Sequence, residues 1–147
     1  KIRFAAKHDL AQGVPLVSMV LRLQDHAMIR RDGKIAATMR ELERLARKSK
    51  EGVCPVVFPE GTRRPGQPLG PLHTGAFKIA HRCRVPLAVA RIRHTEKVFP
   101  PGRFLFRTGR GVTIEVERAA VFNTGPEAEM LKASELKERA GAILAAR

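Results

Sequence analysis

The chain has 147 residues, a length at which one domain can bury a single hydrophobic core. Hydrophobic residues make up 44% and charged residues 29%, a globular rather than disordered balance, and no segment reaches the ~18 to 20 uninterrupted apolar residues of a membrane span. Lys and Arg outnumber Asp and Glu by 28 to 14, and the resulting net charge of +14 attracts polyanions. With no Trp and no Tyr to stack bases, anionic phospholipid headgroups and phosphorylated substrates account for that charge better than nucleic acid does.

Val14 to Leu21 is the longest apolar stretch, too short to cross a bilayer. Asp32-Gly33 reads as a turn. After it Ile35, Met39, Leu42 and Leu45 recur at helical spacing, and Glu43 with Arg47 forms an i,i+4 pair, so Lys34 to Lys50 is expected as a surface helix covering a sheet. Glu51-Gly52 ends it. Val53 to Phe58 is a nearly continuous apolar run, expected as a strand buried on both faces and stopped by Pro59.

Gly61 supplies a bend there, while Glu60, Thr62, Arg63 and Arg64 gather a carboxylate, a hydroxyl and two guanidiniums within a few residues. Such a cluster suits a phosphate ester. The loop from Arg63 to Leu72 carries three prolines and two glycines, a composition for a rigid, phosphate-facing loop. Thr74 or Gly75 starts a helix through His81, and Val85 to Arg93 follows as a buried strand. Val112, Ile114 and Val116 alternate with Thr113, Glu115 and Glu117 as a half-exposed strand. Thr124 and Glu127 have capping-box spacing, and Glu127 to Ala146 continues as a packing helix with Leu136, Ala140, Ile143 and Leu144 on one face. Cys54 and Cys83, in apolar contexts without paired spacing, read as buried free thiols. The alternation of strands and helices predicts an α/β fold, a mostly parallel central sheet flanked by helices, with residues 1–147 forming one domain.

The run Phe58-Pro59-Glu60-Gly61-Thr62-Arg63 resembles the block with which the glycerolipid acyltransferases, the 1-acylglycerol-3-phosphate (lysophosphatidic acid) acyltransferases and their relatives, bind the phosphate of the acyl acceptor. Flanking features resemble that family in order. Phe4, Lys7 and Leu10 look like its Phe-x-x-Lys-x-x-Leu stretch, and Ile29-Arg30-Arg31 like its second acceptor block, with Arg30 where Asp is common. Gly75-Ala76 through Ala80 and Val85-Pro86-Leu87 are similar to the later blocks, with His73 in place of a Lys. One departure is severe. The family's catalytic pair is a His followed five positions later by Asp, and no His in this chain has Asp at that offset. The chain opens on Lys1 without Met, so an N-terminally truncated piece is expected.

The resemblance implies a membrane-associated enzyme at the cytoplasmic face, beside an anionic membrane surface. It would transfer an acyl group from acyl-CoA or acyl carrier protein to a lysophospholipid, with no metal or bound cofactor and no nucleic-acid partner. Arg31 and Arg63 would take phosphate oxygens, Glu60 would orient Arg63, and Thr62 with the Gly61 amide would add donors. The general base is absent from the chain. His73 is the best placed of five histidines to replace it, with no carboxylate beside it in sequence. The alternative is a catalytically inactive module that binds anionic lipid or a phosphorylated ligand.

Overall fold

A computed structural model describes residues 1–9, 15–30, 35–62, 69–98, 111–123 and 131–146. Strand β1 (Ile2–Lys7) pairs in parallel with both β2 (Ala27–Ile29) and β3 (Cys54–Val56), giving the order β2-β1-β3. Parallel neighbours need long crossovers, supplied here by helices α1 (Pro15–Leu23) and α2 (Ile35–Arg47), the second followed by a 3-10 turn at Lys48–Glu51. The expected parallel sheet flanked by helices is therefore present.

After β3 the chain forms α3 (Gly75–Cys83), strand β4 (Leu87–Arg93), a short helix α4 (Thr95–Val98), strand β5 (Glu115–Phe122) and helix α5 (Ala133–Ala145). β4 and β5 form a separate antiparallel pair with a register shift between Val89 and Ala90. Two apolar clusters result. Leu42 and Ala46 of α2 meet Ile79, with Ala5, Ile29 and Val57 of the parallel sheet packed against them; Leu72, Phe77, Val89, Leu136 and Ala140 form the other. Phe77 and Ile79 are two residues apart and so point to nearly opposite sides of α3, which makes that helix the joint between the clusters. Close approach of α2 sets its position. A Cβ on Gly75 would meet the Leu42 Cδ1 at 3.3 Å.

Several expectations need correction. Val53 to Phe58 is not buried on both faces: Cys54 is exposed, Phe58 is 57% exposed on the side that also leaves Ile2 and Phe4 open, and among the described residues β3 lies at the edge of its sheet. Cys54 is thus not a buried thiol, whereas Cys83 is half-buried. Ile35, in the first turn of α2, is exposed, whereas Leu42, Leu45 and Ala46 further along the helix are buried. β4 is half-exposed, with Val89 buried between exposed Ala88 and Ala90. β5 begins at Glu115 rather than Val112, since its pairing starts at Arg93↔Glu115. α5 begins at Ala133, where the Glu135 carboxylate accepts the Lys132 amide at 2.6 Å; Thr124 and Glu127 lie outside the described residues. Asp32-Gly33 lies outside them too. α1 presents Leu16, Met19, Val20 and Leu23 on one exposed stripe.

Candidate functional site

Parallel pairing brings the carboxyl ends of β1, β2 and β3 to one edge of the sheet, where open α/β sheets hold their ligands. Three sequence blocks meet there. Lys7-His8-Asp9 leaves β1, Arg30 leaves β2, and Val57 to Thr62 leaves β3. The His8 amide donates to the Ile29 carbonyl at 2.9 Å, and Lys7 pairs with Asp9 at 2.5 Å on the exposed rim.

The turn after β3 is built by its own residues. The Gly61 amide donates to the Phe58 carbonyl at 3.1 Å, closing a four-residue turn with Pro59 second and Glu60 third. Pro pre-sets the dihedral at the second position of a type I turn, and Gly61 follows at a φ of 66° that other residues rarely adopt. The Gly61 amide is thereby committed to the turn.

Glu60 is half-buried, and its Oε2 accepts the amide of buried Gly70 at 2.9 Å. Next to it the Pro59 carbonyl accepts the His73 amide at 2.7 Å. These two bonds pin together the chain on either side of the Pro-rich loop. The signal for the clamp was absent from the motif, because the partner is a backbone amide ten residues on and no side-chain pattern marks it. Thr62, next along, is exposed. Arg31, Arg63 and Arg64 lie outside the described residues, so the partner shown for Glu60 is Gly70. His73 is exposed and joined to the turn through its backbone.

Beside the turn, the rings of Phe58 and Phe4 stack with centroids 6.5 Å apart and planes 2° from parallel, and Phe4 lies 5.6 Å from His26. His26 is buried, and its Nδ1 accepts the Phe4 amide at 2.8 Å, so in this arrangement any ring proton of a neutral His26 sits on Nε2. His26 is therefore a packing residue that fixes β1 next to the turn. Among the described residues no group of three or more His, Cys, Asp or Glu could hold a metal ion.

Comparison with known proteins gives three matches. The family model described as Acyltransferase matches residues 1–93. A segment of 61 residues is 39% identical to the chloroplastic 1-acyl-sn-glycerol-3-phosphate acyltransferase BAT2 of Brassica napus, covering 42% of this chain and 18% of that protein. The crystal structure of the 1-acyl-sn-glycerophosphate (LPA) acyltransferase PlsC from Thermotoga maritima superposes with a TM-score of 0.64 at 23% identity, over 97% of this chain and 53% of that one. The chain thus spans about half the length of the solved protein whose fold it shares.

Proposed function

The chain belongs to the acyltransferase family, and from that premise we propose that it carries the acceptor-binding part of an enzyme of phospholipid synthesis. The enzyme would transfer a fatty acyl group from acyl-CoA or acyl carrier protein to 1-acylglycerol 3-phosphate. The observation that carries this reading is the Phe58–Thr62 turn at the carboxyl edge of the parallel sheet, clamped at Glu60–Gly70 and Pro59–His73. On this reading the exposed Thr62, with Arg63 after it, would be the ligand-facing end of the block.

Arg31 and Arg63 supply two planar forks for phosphate oxygens, a recognition that Lys does not reproduce. In the reaction a base takes the acceptor hydroxyl proton, the oxygen attacks the thioester carbonyl, and the thiolate leaves as the new ester forms. The family's His and Asp for that proton are not among these 147 residues. We read residues 1–147 as one partial domain working at an anionic membrane surface on the cytoplasmic face. The net charge of +14 supports that placement; no described helix is long and apolar enough to cross a membrane.

The test is titration of the chain with a short-chain lysophosphatidic acid. Binding is expected, with about a tenfold or greater loss in Arg63→Ala, because hydrogen bonds to charged groups contribute about 1.5 to 3 kcal/mol. Unchanged affinity would overturn the acceptor assignment. Acyl transfer by the chain alone should be nil, and robust turnover would refute the missing base. The second reading, an inactive module for anionic lipid or a phosphorylated ligand, is favoured by the net charge of +14. A version extended upstream that binds lysophosphatidic acid yet never transfers an acyl group would establish it.

A further inference from the structure

The other end of α3 carries a second concentration of positive charge. A cavity of about 480 Å³ opens between α2, α3 and the start of α5, lined by Met39, Lys78, His81, Arg82, Arg84 and Ala133. Lys78, His81 and Arg82 stand at i, i+3 and i+4, so one face of α3 presents all three. Lys78 and Arg84 make no ion pair within the described structure. Arg82 is only loosely engaged: its Nε lies 3.8 Å from Glu43, whose carboxylate is held at 2.8 Å by Arg47. His81 Nδ1 lies 3.0 Å from the Leu131 carbonyl, which can only accept, so Nδ1 carries a proton and is engaged there.

A cation in the last helical turn also complements the helix dipole, which accounts for Arg82. It does not account for Lys78 in the middle of α3. Nor does it explain why Arg84 occupies the left-handed position that ends the helix, at φ 51° and ψ 47°, where Gly or Asn is the usual residue.

We propose that this cavity binds clustered phosphate oxygens, as a site separate from the Phe58–Thr62 turn. Two sources share that chemistry: the diphosphate of a nucleotide and the phosphodiester headgroup of an anionic lipid. The inference does not depend on the acceptor reading of the turn.

Arg84→Gly tests it cleanly, because Gly relieves the backbone position while removing the guanidinium. The chain is titrated calorimetrically with pyrophosphate and with adenosine diphosphate, and by co-sedimentation with phosphatidylglycerol vesicles. Expected are a thermal midpoint equal to or above that of the parent and about a tenfold loss of affinity, repeated in Lys78→Ala. Arg118→Ala, an equal change of charge on β5, should leave affinity within about twofold. Loss confined to the soluble diphosphates assigns the cavity to a nucleotide; loss confined to vesicles assigns it to a headgroup. Binding of neither probe, or equal losses in Arg84→Gly and Arg118→Ala, would overturn the site.

Discussion

Glu60→Ala should open the base of the 62–69 segment while the rest of the fold holds. The Glu60 carboxylate accepts the amide of buried Gly70 at 2.9 Å, and a hydrogen bond to a charged group contributes about 1.5 to 3 kcal/mol. Glu60 is half-buried, so some water reaches the vacated space, and about 2 kcal/mol is the expected loss for Ala. Gln keeps a carbonyl acceptor but loses the charge, which roughly halves such a bond and leaves about 1 kcal/mol to lose. Since 1.4 kcal/mol is a factor of ten, the Gly70 amide should exchange with deuterium about 25-fold faster in Glu60→Ala and about 5-fold faster in Glu60→Gln. The Pro59–His73 bond survives both substitutions and keeps the turn seated. Native-state exchange read by NMR at Gly70, with urea unfolding of the same proteins, supplies the measurement. Protection at Gly70 within twofold of the parent in Glu60→Ala would refute the clamp. If Glu60→Gln abolished lysophosphatidic acid binding while Gly70 exchange stayed unchanged, the carboxylate would be acting on the ligand or on Arg63.

Other consequences follow from contacts away from the turn. Arg91 Nη2 donates to the carbonyls of Ile143 and Ala146 at 2.6 Å each, and Nη1 to Glu117 at 3.1 Å, so one guanidinium closes the end of α5 onto β4 and β5. Arg91→Met should lower the urea-unfolding free energy by about 2 to 3 kcal/mol, and Arg91→Lys should recover little because a single ammonium cannot span the three acceptors. Asp25, in a left-handed turn position, is held by Lys48 and by Arg44. The Lys48 hydrogen bond leads in keeping its carboxyl below 3.8, burial opposing and Arg44 assisting. A depressed folded pKa gives stability that is present above the unfolded value and lost as pH falls through the folded one, so this contribution is full at pH 7 and fades below about pH 4. Asp25→Asn, which tolerates the same backbone, should flatten that acid limb in thermal melts across pH. Iodoacetamide should label exposed Cys54 before half-buried Cys83, whose thiol is pushed up chiefly by burial; equal rates by mass spectrometry would contradict the burial difference.

The helical spacing of α2 and the alternation of strands with helices were legible because each is a local period that survives folding. Burial was less so. Val53 to Phe58 is as apolar as a central strand, but hydropathy does not report which neighbours arrive, and the sheet face that carries Ile2, Phe4, Cys54 and Phe58 stays open. The start of β5 was misplaced for a related reason: Val112 and Ile114 continue the alternation, yet β4 ends at Arg93 and can pair no earlier than Glu115. At the turn the residue types were legible and their division of labour was not. Pro59 and Gly61 are occupied in bending the chain, and Glu60 reaches an amide ten residues away, which no local pattern encodes. Within one six-residue block, then, the first four residues shape the turn and its clamp, and the proposed acceptor reading assigns Thr62 and Arg63 to the phosphate. A binding defect in Glu60 or Gly61 variants consequently reports on loop geometry first. On the proposed acceptor reading Arg63→Ala isolates phosphate recognition, and the pair of experiments together separates shaping from contact.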